Sequence, residues 1–408
     1  MLSTEPNPKQ VEYEAIIYCL DLDKKDAASQ KLRKALVTVT DWGHLLKAAL
    51  NHGVFPALYR RVTDICPGAV PSDVLADWLS LYKIHARRNL RITTELIQVL
   101  NLLESQSIVA VPYKGPLLAA VAYGDIALRQ FVDLDILVSR NDIGNIRNLL
   151  FPIGYRLRYS FTKKQESVHL ERAHEFTFEH QQRTMLDIHF RFAADYLGIG
   201  LDPEEAIARR VPVQILGKTV YSLHPEDNLL MLCQHGTFHL WLTLSNVSDV
   251  AHLIHSQASW DWPGVLQRAK DSGLRRQLLL GLSLAQELLG AMVPPDVIQE
   301  ADADSSVVNL RRRVMSNLFV KSEEDMGFVD ITSFYIQSRD SFRDRLVHVW
   351  VRLFIPSVED WQWVPLPDSC YWLYYLIRPL RLGLQGLVLP LLRRFQGLFR
   401  VKAVHNHH

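Results

Sequence analysis

The chain has 408 residues, with 45 Lys and Arg against 44 Asp and Glu, 48% hydrophobic residues, 19 Gly, 19 Pro and four Cys. These values exclude a disordered, collagen-like or disulfide-stapled chain, and the length suggests two or three folded units that bury their own cores without a structural metal. Cys19, Cys66, Cys233 and Cys370 are far apart and form no CxxC pair, so neither a zinc knuckle nor a disulfide framework is expected. The amino terminus lacks the charged start and apolar run of a signal peptide, and a reducing cytoplasm is the expected compartment.

Residues 1–107 read as a helical region, with apolar positions recurring at three and four, as in Leu96, Val99, Leu100 and Leu103. Lys83, Arg87 and Arg91 make a basic stripe on one of these helices. Without interleaved aromatics it signals a solvated face more than a nucleic-acid site. At Ile108 the period changes. Ile108–Tyr113 is a short β-branched run, and Phe131–Val138 (FVDLDILV) alternates apolar and acidic residues, so both read as strands. Between them Pro116–Tyr123 has room for a short helix that ends at Gly124-Asp125, and Asp142–Phe151 reads as a second helix.

Residues 175–192 carry the clearest hairpin pattern, EFTFE and TMLDIHFRF joined by HQQR. Phe176, Phe178, Leu186, Ile188 and Phe190 fall on one face. Glu175, Thr177, Glu179, Asp187, His189 and Arg191 fall on the other, where a solvated surface or a polar site is expected. Helical periodicity then returns from Pro225 through Leu229–Ser256 and again over Leu274–Leu289. The resulting division is a helical region at 1–107, a sheet-bearing core at 108–195, a helical region at 196–345, and a Pro/Trp-rich segment with a basic tail at 346–408.

The chemistry concentrates on Asp133 and Asp135. Two apart on a strand, they point to the same face, and hard divalent cations such as Mg²⁺ or Mn²⁺ prefer carboxylate oxygen. Asp is disfavoured in strands, yet these two stand among Val132, Leu134, Ile136 and Leu137, a segment that must be largely buried. A third carboxylate on a neighbouring strand would complete a metal site; Asp187 is the candidate, with Glu175 and Glu179 as competitors. Lys114-Gly115 follows the first strand directly, where glycine allows close backbone approach and lysine neutralises a phosphate. Arg129 lies four residues before Asp133.

The stretch YKGPLLAAVAYGDIALRQFVDLDILV resembles the polymerase-β-like nucleotidyltransferase superfamily, and most closely an uncharacterised bacterial branch of it. The features that carry the resemblance are Lys114-Gly115, Tyr123, Arg129, Asp133 with Asp135, and Asp187-Ile188-His189. HGVFPALYRRV at 52–62, LCQHGTFHLW at 232–241 with Asp249 beyond, and DWQWVPLP through YYLIRPLRL add to it. The resemblance implies an α+β fold, a small mixed β-sheet nucleotidyltransferase core flanked by N- and C-terminal helical segments. It implies Mg²⁺- or Mn²⁺-dependent transfer of a nucleotidyl group from an NTP, ATP being the representative donor, to an acceptor that is a small molecule, a peptide or protein, or an RNA end. Asp133, Asp135 and Asp187 would hold the metal and activate the acceptor; Lys114, Gly115 and Arg129 would contact phosphates; His189 would touch acceptor or pyrophosphate, unless cross-strand pairing accounts for that face. The chain departs from better-studied relatives in having Pro116 after Gly115, which removes one amide donor. Transfer of another phosphate-linked group in natural-product tailoring, and a catalytically inactive or toxin-antitoxin-type binding module, are the alternatives.

Two further features stand apart. His235 and His239 are four apart on an expected helix, a spacing that suits zinc, the lining of a cleft, or packing. From Ser369 onward there are six basic residues and no acid. Arg378, Arg381, Gln385, Arg393, Gln396 and Arg400 project as one basic stripe, expected either to pack on the protein or to dock a membrane surface or an acidic partner.

Overall fold

The computed structural model describes residues 8–22, 26–193 and 200–384. Helices α1 (Pro8–Leu20), α2 (Asp26–Thr38), α3 (Trp42–Asn51), α4 (Phe55–Ile65) and the long α5 (Ser72–Glu104) come first. The central part alternates strand and helix: β1 (Ala110–Pro112), α6 (Gly115–Tyr123), β2 (Asp133–Val138), α7 (Ile143–Leu150), β3 (Arg156–Leu157), α8 (Lys163–Arg172), β4 (Glu175–Glu179) and β5 (Met185–His189). The strands form one mixed sheet in the order β1-β2-β5-β4-β3, in which β2 and β5 are parallel and the other neighbours antiparallel. The expected α+β class is therefore the observed one.

Alternation along the strands divides the two faces. Leu134, Ile136, Val138, Phe176, Phe178, Leu186 and Ile188 pack with Leu96, Val99, Leu100 and Leu103 of α5 and Ile146 and Leu150 of α7. The spacing seen in the sequence is thus the face that α5 and α7 lay on the sheet. The opposite face carries Asp133, Asp135, Asp187, His189, Glu175 and Thr177, in register across three strands. Asn89, in phase with the apolar residues of α5 and fully buried, donates to the carbonyls of Ile126 at 2.6 Å and Arg129 at 2.9 Å and so fixes the loop that enters β2. Lys83, Arg87 and Arg91 stand exposed, as a solvated face would.

The chain then continues through α9 (Pro203–Ala208), a hairpin of β6 (Val211–Ile215) and β7 (Lys218–Ser222), α10 (Pro225–Phe238), α11 (Leu244–Ser256), α12 (Trp262–Asp271), α13 (Arg275–Leu289), α14 (Pro295–Ala303) and α15 (Ser305–Asn317). The hairpin is a departure from the helical expectation for this region. Its five-residue strands turn on Leu216-Gly217, both at positive φ, and bury Ile215 and Val220 in the same core as the main sheet. The single helical run read over Leu229–Ser256 is two helices, broken after Phe238 with Leu240 and Trp241 in the left-handed region. The break turns the Trp241 ring onto Gly236 and Gly281, where an added Cβ would come within 2.7 and 2.9 Å of it. That contact gives the HGTFHLW stretch a packing reason: only glycine admits the ring.

The last described elements are α16 (Phe328–Gln337), α17 (Phe342–Phe354), α18 (Val358–Trp363) and α19 (Tyr374–Gly383). Of the two expectations for the basic stripe, Arg378 and Arg381 follow the packed one: they turn inward onto the fully buried Asp360, at 2.7 Å and 2.6 Å, because burying that carboxylate requires counter-charge. Gln385, Arg393, Gln396 and Arg400 lie outside the described residues. This segment folds back on the central sheet region: the Thr162 hydroxyl, which caps α8, donates to Asp368, and Trp361, Tyr371 and Tyr374 share a small core with Val168. Among the described residues no helix is long and apolar enough to cross a membrane.

Asp360→Asn leaves Arg378 and Arg381 buried without their carboxylate, a loss of about 3–5 kcal/mol for a buried pair broken on one side. Urea denaturation of the variant is expected to show a clearly lower midpoint; an unchanged midpoint would show that the Asp360 cluster does not hold this segment.

Candidate active site

The strand pair β2–β5 builds the site. Asp135 and Asp187 are register partners on adjacent parallel strands, and Asp133 precedes Asp135 by two on the same face. Asp135 and Asp187 are buried, Asp133 half-buried. Burying such groups requires compensation, and each receives a different amount. Lys114 Nζ donates to Asp135 Oδ1 at 2.9 Å, and His189 Nε2 lies 3.0 Å from the same oxygen. Burial alone would raise the Asp135 carboxyl, but Lys114 and His189 more than reverse this and hold it below the usual carboxylate range. Asp133 moves the other way, pushed up by burial and by the neighbouring Asp135 charge. Asp187 is pushed up to about 6, by burial first and then by the charge of Glu175, against the Thr177 hydrogen bond and His189. Its Oδ1 is buried without a hydrogen-bond partner.

His189 is the hinge of the charge balance. Its Nε2 lies between Asp135 Oδ1 and Glu175 Oε2, the latter at 3.2 Å, and Tyr113 meets its ring edge-on at 5.2 Å. Burial lowers its affinity for a proton; Glu175 and Asp135 more than restore it, so the ring titrates above its ordinary value. His174 Nε2 lies 3.4 Å from the same Glu175 Oε2, and burial pushes it down to about 4. His174, Glu175 and His189 offer ligand atoms that all lie within 4.8 Å of one another. Glu179 stands exposed at the far end of β4, 3.4 Å from Arg158.

Lys114-Gly115 forms the turn from β1 into α6. Gly115 has φ +52°, and an added Cβ would lie 3.2 Å from the Asp133 carbonyl oxygen, so this close approach of α6 to β2 requires glycine. Pro116 stands in the first turn of α6, where a missing amide hydrogen costs no helical bond. Lys114 is thereby carried across β2 to Asp135, its own charge favoured by that carboxylate against burial.

Arg129 pairs with a carboxylate of the helical region, while its charge still acts on Asp133 and Asp135. Its Nε and a terminal nitrogen each donate at 2.8 Å to the two oxygens of Asp249 on α11, and Tyr123 donates to the same carboxylate at 2.7 Å. Tyr123, Arg129 and Asp249, three separate features of the sequence, are one buried network that ties α6 and the loop before β2 to α11. His235 and His239 lie with ring centroids 4.5 Å apart. Burial, then the nearby Lys114, pushes His235 well below its ordinary value, which places a neutral ring beside the Lys114–Asp135 pair. Neither histidine belongs to the metal-competent group.

The structure thus brings Lys114, Gly115, Asp133, Asp135, Asp187, His189 and Glu175 together, with Arg129 paired to Asp249 at the margin, and sets Glu179 apart. Sequence reasoning missed His174, whose position one residue before the alternating strand hid it. It also missed Asn89, although a polar residue in phase with Ile92, Leu96 and Val99 was a readable signal.

The geometry is a carboxylate-rich strand pair beside a Lys-Gly turn. Residues 38–290 match the sequence model of a family described as uncharacterised nucleotidyltransferase, and since the match spans more than half of the chain, the protein belongs to that family and is a nucleotidyltransferase. Comparison with the curated proteins finds no match. Two solved structures resemble parts of the chain. One is a lincosamide antibiotic adenylyltransferase, LnuA, with lincomycin bound: 19% identity over 40% of this chain and 97% of that one, TM-score 0.29. The other is the antibiotic-resistance factor ANT(2'')-Ia, with 15% identity over 55% of this chain and 93% of that one, TM-score 0.27. Likeness at this level carries no residue role from either protein to this one.

The raised Asp187 carboxyl has a consequence for stability. Folded Asp187 binds its proton more tightly than in the unfolded chain, where a value near 3.9 applies, so its contribution is favourable below about pH 4, is lost as pH rises toward about 6, and is constant above that. Without metal, Asp187→Asn is therefore expected to stabilise the fold at pH 7.5, on the order of 2 kcal/mol, and by much less at pH 4.5. Denaturant unfolding in EDTA at the two pH values measures this; equal effects at both would refute the linkage.

Proposed function

We propose that the protein transfers a nucleotidyl group from an NTP, with Mg²⁺ or Mn²⁺ as cofactor, to a hydroxyl-bearing acceptor. The observation that carries this reading is the register of Asp135 with Asp187 on adjacent parallel strands, with Asp133 on the same face and Lys114-Gly115 at its edge. The residues fit a hard divalent cation: carboxylate oxygens dominate the face, Asp187 Oδ1 is buried without a partner, and the acidic charge exceeds what Lys114 and His189 offset. Asp133, Asp135 and Asp187 would hold the ion, and an ion there supplies charge neutralisation of triphosphate oxygens.

The remaining work belongs to the chain's own groups. Lys114 and the positive end of α6 bind phosphate oxygens, with Lys114 exchanging Asp135 for phosphate when the nucleotide enters. The acceptor oxygen bonds to the α-phosphorus as the bond from that phosphorus to the bridging oxygen breaks; pyrophosphate leaves and the acceptor proton passes to Asp187. His189 keeps Asp135 ionised and oriented. Arg129 acts through position, holding the loop before β2 against Asp249. In-line transfer asks mainly for alignment and charge neutralisation, which a rigid, buried strand pair supplies.

Asp133→Asn with Asp135→Asn is expected to abolish transfer, a loss of at least about 10²–10³ in rate by comparison with the removal of single charge-stabilising groups. In thermal unfolding, wild type with one NTP and Mn²⁺ is expected to gain stability, because a ligand that binds only the folded state must raise it, and the double variant is expected to lose that gain. Full transfer activity in the double variant would exclude this assignment. No shift with any NTP would favour a non-catalytic binding module, or a phosphate-linked donor other than a nucleoside triphosphate.

A further inference from the structure

A cleft of about 300 Å³ lies between the β3–β4 edge of the sheet and the segment containing α17 and α18, with Glu175 in its lining. Its floor is His174, Glu175 and Thr177. Phe161, Ile355, Val358 and Trp361 supply apolar walls, and Arg172 and Glu359 stand among its polar groups. We propose that this cleft is the acceptor subsite, and that it takes a small ring compound carrying a hydroxyl group rather than a peptide or an RNA end. The proposal rests on the nucleotidyl-transfer reading above.

Sheet order is the first argument. In β1-β2-β5-β4-β3 the Lys114-Gly115 turn follows β1 on one flank, the carboxylates lie on β2 and β5 in the middle, and the cleft opens over β4 and β3 on the other flank. In-line displacement needs the nucleophile and the leaving pyrophosphate on opposite sides of the phosphorus. A triphosphate anchored at Lys114 and an acceptor held over β4 meet that requirement without rearranging the sheet.

Register is the second. Thr177 pairs with Asp187 and Glu175 with His189, so the cleft floor is the strand next to the proposed proton acceptor, about 4.8 Å away across the sheet. On this proposal a hydroxyl on a molecule seated in the cleft is presented across β4 to Asp187. Its oxygen forms the new bond to the α-phosphorus, pyrophosphate departs, and its proton goes to the Asp187 carboxylate.

Size and lining give the substrate class. The volume is at the lower end of small-molecule pockets, too small for a folded polymer, and aromatic and aliphatic walls with a few polar groups suit a compact ring body. Arg172 has Glu171 on its own helix at 3.9 Å, leaving its charge available to a polar substituent. The far wall, with Ile355, Val358 and Trp361, lies beyond the residues 38–290 that match the family, whereas the carboxylates lie within them. The cleft is thus shared between the family-matched part of the chain, which supplies its floor and Arg172, and the segment beyond it, which supplies the far wall.

The test uses a panel of hydroxylated aromatic and alicyclic fragments, with binding read by ligand-observed NMR, and label transfer to the same compounds from α-labelled NTP. Wild type is expected to bind and label a subset. Ile355→Trp, which fills the cleft, is expected to weaken both by about tenfold or more while keeping the nucleotide- and Mn²⁺-dependent thermal shift; Trp363→Ala, exposed on the same segment and outside the cleft, is expected to change neither. Val358→Trp fills the same space and replaces Ile355→Trp if that variant fails to fold. Fragment binding unaffected by either filling variant, no binding by any fragment, or label appearing only on peptide or RNA would overturn the proposal. Loss of the nucleotide shift in wild type would overturn the nucleotide reading and the acceptor role with it, while the fragment arm would still report whether the cleft binds ligand.

Discussion

The face shared by β2, β5 and β4 carries Asp133, Asp135, Asp187 and Glu175, with Lys114 and His189 in direct contact and Arg129 at the margin, and this largely buried acidic charge is the constraint around which the rest is organised. A buried carboxylate without compensation is costly. The chain compensates Asp135 fully and leaves Asp133 and Asp187 with raised proton affinity. On the proposed reading a divalent cation bound at this face would offset that charge and so stabilise the fold.

The surroundings follow from holding that face still. Gly115 lets α6 approach β2 closely enough for Lys114 to reach Asp135. Asn89 clamps the loop before β2, and the Tyr123–Arg129–Asp249 network ties that loop and α6 to α11. Trp241, seated on Gly236 and Gly281, locks α10 against α13, and α10 presents His235 toward Lys114. Asp360, with Arg378 and Arg381, anchors the segment that closes the cleft over β4. Each tie is polar or sterically exacting, which suits a site that works by alignment.

Much of this was legible in the sequence. Period-two alternation in FVDLDILV and MLDIHFRF fixed which side chains share a face, and the change from period 3.6 marked where the sheet begins. The hairpin at 211–222 was not legible, because five-residue strands between helices leave too short a pattern to outweigh the helical periodicity around them. The partner of Arg129 was not legible: only the fold reveals Asp249, 120 residues on, as the carboxylate it pairs with. The partner of the tail arginines was hidden in the same way, since a helical projection cannot show that Asp360 draws Arg378 and Arg381 inward. Pairings between distant residues carry no local signal.

The central claim is that the carboxylate face of β2 and β5 holds a divalent cation with the donor triphosphate. Crystals grown with Mn²⁺ and an NTP analogue that cannot be cleaved between its α- and β-phosphorus atoms would test it through the anomalous signal of the metal. The account predicts a manganese peak against Asp133, Asp135 and Asp187, with the triphosphate along Lys114-Gly115. A peak held only by His174, Glu175 and His189, or none at all with nucleotide bound elsewhere, would contradict it.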